Sequence, residues 1–157
     1  MKLHLQLVTP QRKVLDEELE SLTCPTKMGQ ITILPNHAAL VATLATGELV
    51  ARSKGGQEHN IHVAGGFVEV KDGSQVVILA DAAEHHHEID EAEAEAAKLR
   101  AQEALKQSNV SQEEYALAAA ALERSLSKLH LVRKYRHRRA TPVPQVTNIG
   151  KDLTGEE

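Results

Sequence analysis

Tryptophan is absent from this chain of 157 residues, and the other aromatics are three: Phe67, Tyr115 and Tyr135. Aliphatic residues and alanine must therefore build the core, and few large anchors remain to wall a deep ligand pocket. Cys24 is the one cysteine, which excludes an intrachain disulfide and suits a reducing compartment. It stands in the strand-like Leu22-Thr23-Cys24-Pro25, where a buried, inert thiol is expected. No apolar run approaches the roughly 18 residues of a membrane span. Met1-Lys2-Leu3-His4-Leu5 alternates from its first residue and reads as a strand rather than a signal peptide, so a soluble, cytosolic-facing protein is expected. A phosphate-binding P-loop, a nucleophile elbow and paired catalytic carboxylates are also missing, which speaks against an enzyme.

What is present divides near Asp90. Before it, short apolar runs alternate with turn residues; after it, an alanine-rich helical pattern runs almost to Arg139. The pattern predicts an α+β chain: an antiparallel β-sandwich over 1–88, an antiparallel helical hairpin over 89–139 and a flexible polar tail over 140–157. Candidate strands are Leu3–Val8, Leu19–Cys24, Gln30–Leu34, Leu40–Leu44, Glu48–Arg52, His59–Val63, Phe67–Lys71 and Gln75–Ala80. Asp72-Gly73 is the clearest hairpin turn, and Gly65-Gly66 reads as a tight start to the strand at Phe67.

Asp90 is the expected N-cap of the first helix, with Glu93 reaching back; Ser111-Gln112-Glu113-Glu114 repeats the pattern for the second. Ala94, Ala97, Ala101 and Ala104 form a small-residue stripe, and Tyr115, Ala119, Leu122, Leu126 and Leu129 the stripe expected to face it. An alanine seam buries little area, so the arm is weakly held and suited to act as a switch. The second helix, about 28 residues against about 18, overhangs the first by ~15 Å. That overhang carries Arg133, Lys134, Arg136, Arg138 and Arg139, and is expected to be available to a partner rather than used up on Glu91, Glu93 and Glu95.

The net charge of -4 hides this polarity: residues 1–88 hold 7 Lys/Arg against 11 Asp/Glu, whereas 124–139 hold 7 basic residues and no acid. Such a block suits an acidic partner, a phosphate backbone or an anionic surface, or else a solvated helix end whose charge complements its macrodipole. His85-His86-His87 invites a metal reading, but adjacent histidines cannot readily aim at one ion, and His59 and His62 fall on opposite strand faces; a surface linker is expected. A histidine-rich joint could still make the arm sensitive to pH.

The segment Gly29-Gln30-Ile31-Thr32-Ile33-Leu34-Pro35-Asn36-His37-Ala38-Ala39-Leu40 resembles the Gly-Glu-x-Gly-Ile-Leu-Pro-x-His-Ala-Pro-Leu run of the epsilon subunit of F-type ATP synthases, bacterial or chloroplast-like. Leu3–Pro10, Thr46-Gly47-Glu48-Leu49, Gly65–Val70 and Val77–Glu84 follow in register, so the likeness covers about residues 2–139. It implies a β-sandwich with a helical hairpin, and a non-catalytic subunit of the rotating central stalk, bound to the gamma subunit and the c-ring. No cofactor and no metal are implied.

The resemblance assigns Gln30, Ile33, Leu34, Pro35, His37, Ala38 and Leu40 to the edge that meets gamma and the ring, with Pro35 fixing the loop. Gln30 stands where the family has glutamate, Thr32 where it has glycine and Ala39 where it has proline, which implies a contact less dependent on charge. The family's hairpin lies folded or extends into the catalytic head and blocks hydrolysis; Arg133, Lys134, Arg136, Arg138 and Arg139 would then meet acidic loops of the beta subunits. Some members bind ATP on the folded hairpin, and that site is matched by Glu84, Asp90, Arg100, Arg124 and, conservatively, Lys128. Glu93 replaces the motif's arginine and repels phosphate, so weak or absent ATP binding is expected. The implied location is peripheral, on the cytoplasmic face of a bacterial inner membrane or the stromal face of a thylakoid, since no transit peptide is evident. The alternative from another class is a nucleic-acid-binding adaptor using the basic helix end, although aromatic stacking platforms are absent and the rest of the chain is acidic.

Overall fold

The computed structural model describes residues 2–140, with side chains through Arg138. Seven strands come first: β1 (Leu3–Val8), β2 (Lys13–Thr26), β3 (Gly29–Ile33), β4 (Leu40–Thr43), β5 (Gly47–Ser53), β6 (Glu58–Lys71) and β7 (Gln75–His85). Alternation decides which side of each strand is core. Leu3, Leu5 and Leu7 are wholly buried with Leu22, Cys24, Ile33, Leu49, Ile61, Val63, Val68 and Ile78, an almost entirely aliphatic interior. Phe67, the one phenylalanine, lies outside it and is 56% exposed.

The strand order is β1-β7-β6-β5-β2-β3, with β4 on β6, and an added β1–β2 pairing closes the path. Two strands of 14 residues tie the layers together. β2 pairs with β1 along its first part, then with β5 and β3; β6 pairs with β5, then with β4, while β7 follows it from Ile61 to Lys71. The β1–β7 pair is parallel, whereas the other pairings between the described strands are antiparallel.

Two sequence expectations change here. His59–Val63 and Phe67–Lys71 are one strand, because Gly65 and Gly66 lie within β6 rather than at a start. Both have positive φ, 70° and 107°, and a Cβ on Gly66 would stand 2.0 Å from the Leu79 carbonyl oxygen. This kink lets β6 leave β5 at Val63 and take up β4 at Phe67. β2 also begins earlier than expected, at Lys13, in a polar run that apolar alternation does not mark.

A 3-10 turn, His86–Glu88, joins the strands to α1 (Glu91–Lys106) and α2 (Gln112–Ala140). Asp90 caps α1, accepting from the Glu93 N–H at 3.2 Å, but Glu93 does not reach back; its carboxylate takes Arg100 at 2.7 Å. Ser111 and Glu114 make the full reciprocal box on α2, at 3.2 and 3.0 Å. The joint is pinned from the other end of the chain. Arg12 donates to both Glu88 oxygens at 2.9 and 2.6 Å, and the His85 N–H donates to Glu88 at 3.0 Å. The Arg12 hydrogen bonds, foremost among these contacts, pull the Glu88 carboxyl down to about 2.

Gly66→Ala is expected to lower stability by at least ~2 kcal/mol, since it adds left-handed strain to a backbone collision; thermal or urea denaturation measures the loss. Arg12→Ala should leave the sandwich folded and return the Glu88 titration toward about 4.3, read by carboxyl NMR. A depressed carboxyl contributes above its ordinary range, so this bond's support holds above about pH 4.5 and fades as pH falls toward 2.

Candidate partner-binding surfaces

Leu34-Pro35-Asn36-His37 is a turn of type II character: the His37 N–H donates to the Leu34 carbonyl at 3.1 Å and Asn36 has a φ of 66°. Proline before a residue able to adopt left-handed backbone is the sequence signal for that geometry. The Asn36 N–H donates to the Gly73 carbonyl at 2.7 Å, so the Asp72-Gly73 hairpin buttresses the loop. Leu34 is 54% exposed, Gln30 and Ala38 are also exposed, and Pro35, His37 and Leu40 are half-buried. Ile33 is different. It has no exposed surface and belongs to the core, because strand alternation turns it inward beside Leu22; its expected place in a contact with gamma or the ring is corrected on that ground. Thr32, facing out, shares a hydrogen bond of 3.0 Å with Thr23 across the β2–β3 pair.

An apolar strip that sequence reasoning missed lies on the outer face of β4, β6 and β7, where Val41, Phe67 and Leu79 are exposed. Phe67 pairs with Leu79, and Val41 pairs with Glu69, two residues along the same face. The signal was available: in Phe67–Lys71, Val68 and Val70 point inward, which puts a phenylalanine on the polar side.

The hairpin seam buries Ala94 and Ala101 of α1 against Ala118, Ser125 and Leu129 of α2. The expected α2 stripe is thereby rotated, since Tyr115 and Leu126 are 54% and 47% exposed. A second α2 face, with Leu131 and Tyr135, turns to the sandwich. The Tyr135 hydroxyl donates to Glu48, and the Asn60 amide, with its NH2 toward the carboxylates, reaches that hydroxyl, Glu48 at 3.2 Å and Glu58 at 3.0 Å. Burial first, then the Glu48 hydrogen bond, push the Tyr135 hydroxyl pKa up.

The basic end is thus occupied, contrary to expectation. Arg133 meets Glu95 at 2.5 Å, Arg136 meets Glu91, Lys134 meets Glu48 at 2.6 Å and Arg138 lies 3.9 Å from Glu58. Helical period is the reason: residues 133 and 136 return to the α1 side, while 134 and 135 land on β5 and β6. The Arg139 side chain and the 141–157 segment lie outside the described residues.

Of the nucleotide-site candidates, Glu84, Asp90, Arg124 and Lys128 line one cleft of about 220 Å³ between α1, α2 and β7. Arg100 does not line it. Glu88 and Glu93 do, so the cleft carries four carboxylates against two cations, and Lys128 already holds Glu84 at 2.7 Å. Histidines fill the joint: His59 faces Glu17 at 2.9 Å, and the His85 and His87 rings stack at 5.2 Å. Among the described residues no group of three His, Cys, Asp or Glu side chains is arranged to hold a metal. Among them, too, no helix is long and apolar enough to cross a membrane.

Residues 2–86 match the family model described as the beta-sandwich domain of the ATP synthase Delta/Epsilon chain, and residues 87–133 match its long alpha-helix domain. An ATP synthase epsilon chain of Caldanaerobacter subterraneus is 43% identical over 133 residues, 84% of this chain and 94% of that one. One of Geobacter metallireducens is 39% identical over 133 residues, 85% of this chain and 95% of its own length. Among solved structures, a chain in the OSCP/F1/c-ring assembly of Euglena gracilis mitochondrial ATP synthase superposes with a TM-score of 0.71 at 25% identity, covering 80% of this chain and 78% of that one. A chain of the Tetrahymena thermophila central stalk and c-ring shares the fold at a TM-score of 0.57 and 19% identity, over 86% of this chain and 96% of that one. Sandwich, hairpin and sequence thus agree, and the chain belongs to the epsilon chain family of ATP synthase.

Proposed function

We propose that this chain is a non-catalytic rotor subunit of a proton- or sodium-driven ATP synthase, linking the gamma subunit to the c-ring through the 29–40 edge. Gln30, Leu34, Pro35, His37, Ala38 and Leu40 supply that contact, extended by the strip at Val41, Phe67 and Leu79. Its domains are the sandwich over 1–88, the hairpin over 89–139 and the tail over 140–157. Its place is peripheral, on the cytoplasmic face of a bacterial inner membrane or the stromal face of a thylakoid. The hairpin acts as a brake on ATP hydrolysis when it leaves the sandwich and enters the catalytic head.

One observation carries the brake: the cations of the basic end rest on carboxylates of this same chain, at Glu48, Glu58, Glu91 and Glu95. Most of these pairs are partly exposed, and such pairs contribute about 0–1 kcal/mol each. Acidic loops of the beta subunits can take them over with little loss. Against the nucleic-acid adaptor reading stand the scarcity of aromatic stacking platforms and the acidic balance of the rest of the chain.

Deleting residues 108–157 should raise the ATPase rate of the assembled complex without uncoupling it; an unchanged rate would sink the brake while leaving the assembly role intact. For nucleotide, the surplus of carboxylates in the cleft and the loss of Arg100 from it favour weak or absent binding. Calorimetry with micromolar ATP should show no heat, and a micromolar dissociation constant would overturn this.

A further inference from the structure

His62 occupies the middle of a row that crosses three strands, with Glu48 of β5 and Glu84 of β7 as its register neighbours. The ring is buried, and its Nε2 has no hydrogen-bond partner. On its own strand the next residues on this face are Asn60 and Ala64, which carry no charge. Over the row lies the α2 face that carries Arg124, Lys128, Leu131 and Tyr135, spaced by four, three and four.

That face takes both carboxylates away from the imidazole. Lys128 holds Glu84 at 2.7 Å; Lys134, at 2.6 Å, and Tyr135 hold Glu48. The remaining acids nearby, Glu88, Asp90 and Glu93, sit in the adjoining cleft, where Glu88 is bound to Arg12 and Glu93 to Arg100. Glu84 Oε2 accepts no hydrogen bond, but the Lys128 ammonium beside it neutralises its charge, so a proton on His62 would meet Lys128 and Arg124 with no uncompensated carboxylate beside it. With α2 lifted, the ring meets water and both carboxylates are released beside it.

We propose that His62 is the proton sensor of the arm: a proton on its ring and the seating of α2 on the sandwich exclude each other, so acidification lifts the hairpin. This rests on the reading that the arm moves. Burial first, then Lys128 and Arg124, hold the seated imidazole down to about 4. The lifted ring titrates at its ordinary value of about 6.5 or above, raised by Glu48 and Glu84. The seated state binds fewer protons, so seating is intact above about pH 6.5 and weakens as pH falls through that value toward 4. Between pH 7.5 and 5.5 the ratio of seated to lifted arm falls about tenfold for this one group.

The test uses the full chain carrying Leu131→Cys, which places a thiol under α2, and a dithiodipyridine reagent that works in mild acid. Cys24, wholly buried in the core with its pKa pushed up by burial to about 11, reports global unfolding in the same sample. Corrected for thiolate fraction on the denatured chain, the introduced thiol should react faster than Cys24 and gain about tenfold from pH 7.5 to 5.5. His62→Gln should remove that gain. Lys128→Met, which frees Glu84 for the imidazole, should shrink it with His62 still present. If the introduced thiol reacts only as fast as Cys24, the arm does not lift, and the moving-arm reading fails with the proposal. If it reacts faster but with no pH gain, or if His62→Gln keeps the full gain, the proton link alone is wrong.

Discussion

The contact between α2 and the outer face of β5 and β6 governs how this molecule can behave, and it is polar where a permanent interface would be apolar. Glu48 is its centre, since one carboxylate receives the Tyr135 hydroxyl, the Lys134 ammonium and the Asn60 amide. Removing such an acceptor leaves partly buried donors without partners, at about 1–3 kcal/mol for each buried group. The seam within the hairpin offers little compensation, because Ala94, Ala101 and Ala118 bury small areas. An arm held this way is ordered by a few specific bonds, and any group that competes for Glu48 or Glu84 competes with the whole arm.

The sandwich does not share that dependence. Every member of its buried cluster comes from residues 3–83, and no helical side chain is needed to complete it. The β1–β2 pairing closes the sheet path, and the long strands β2 and β6 carry the core through both layers. The Pro35-Asn36 turn is braced by Gly73, a residue of the sandwich itself. The 34–40 edge therefore owes its shape to the sandwich and not to the hairpin.

Local patterns were legible in the sequence because they concern neighbours. The alternation of Leu3, Leu5 and Leu7, the Asp72-Gly73 hairpin and the Ser111–Glu114 capping box each fix geometry over a few residues. Gly65-Gly66 was visible but ambiguous: glycines mark a departure from ordinary strand geometry, and only the β5-to-β4 handover reveals that the strand continues. Likewise, the α2 stripe was read as one apolar face because a seam with a single partner was assumed. In fact α2 has two partners, so Ser125 is buried and Leu126 is exposed.

Charge is where reading along the chain loses the most information. Seven cations without an acid in 124–139 look unpaired at any window used to scan a sequence. Their acids come from far away: Glu95 lies 38 residues from Arg133, Glu91 45 from Arg136 and Glu48 86 from Lys134. A run of like charge therefore records a surplus but says nothing about occupancy. His62 makes the same point with opposite sign, since an ordinary strand histidine becomes consequential only when Glu48, Glu84, Arg124 and Lys128 converge on it from three other elements. Which cations stand free on the surface is set by these long-range pairs and not by the local run of charge.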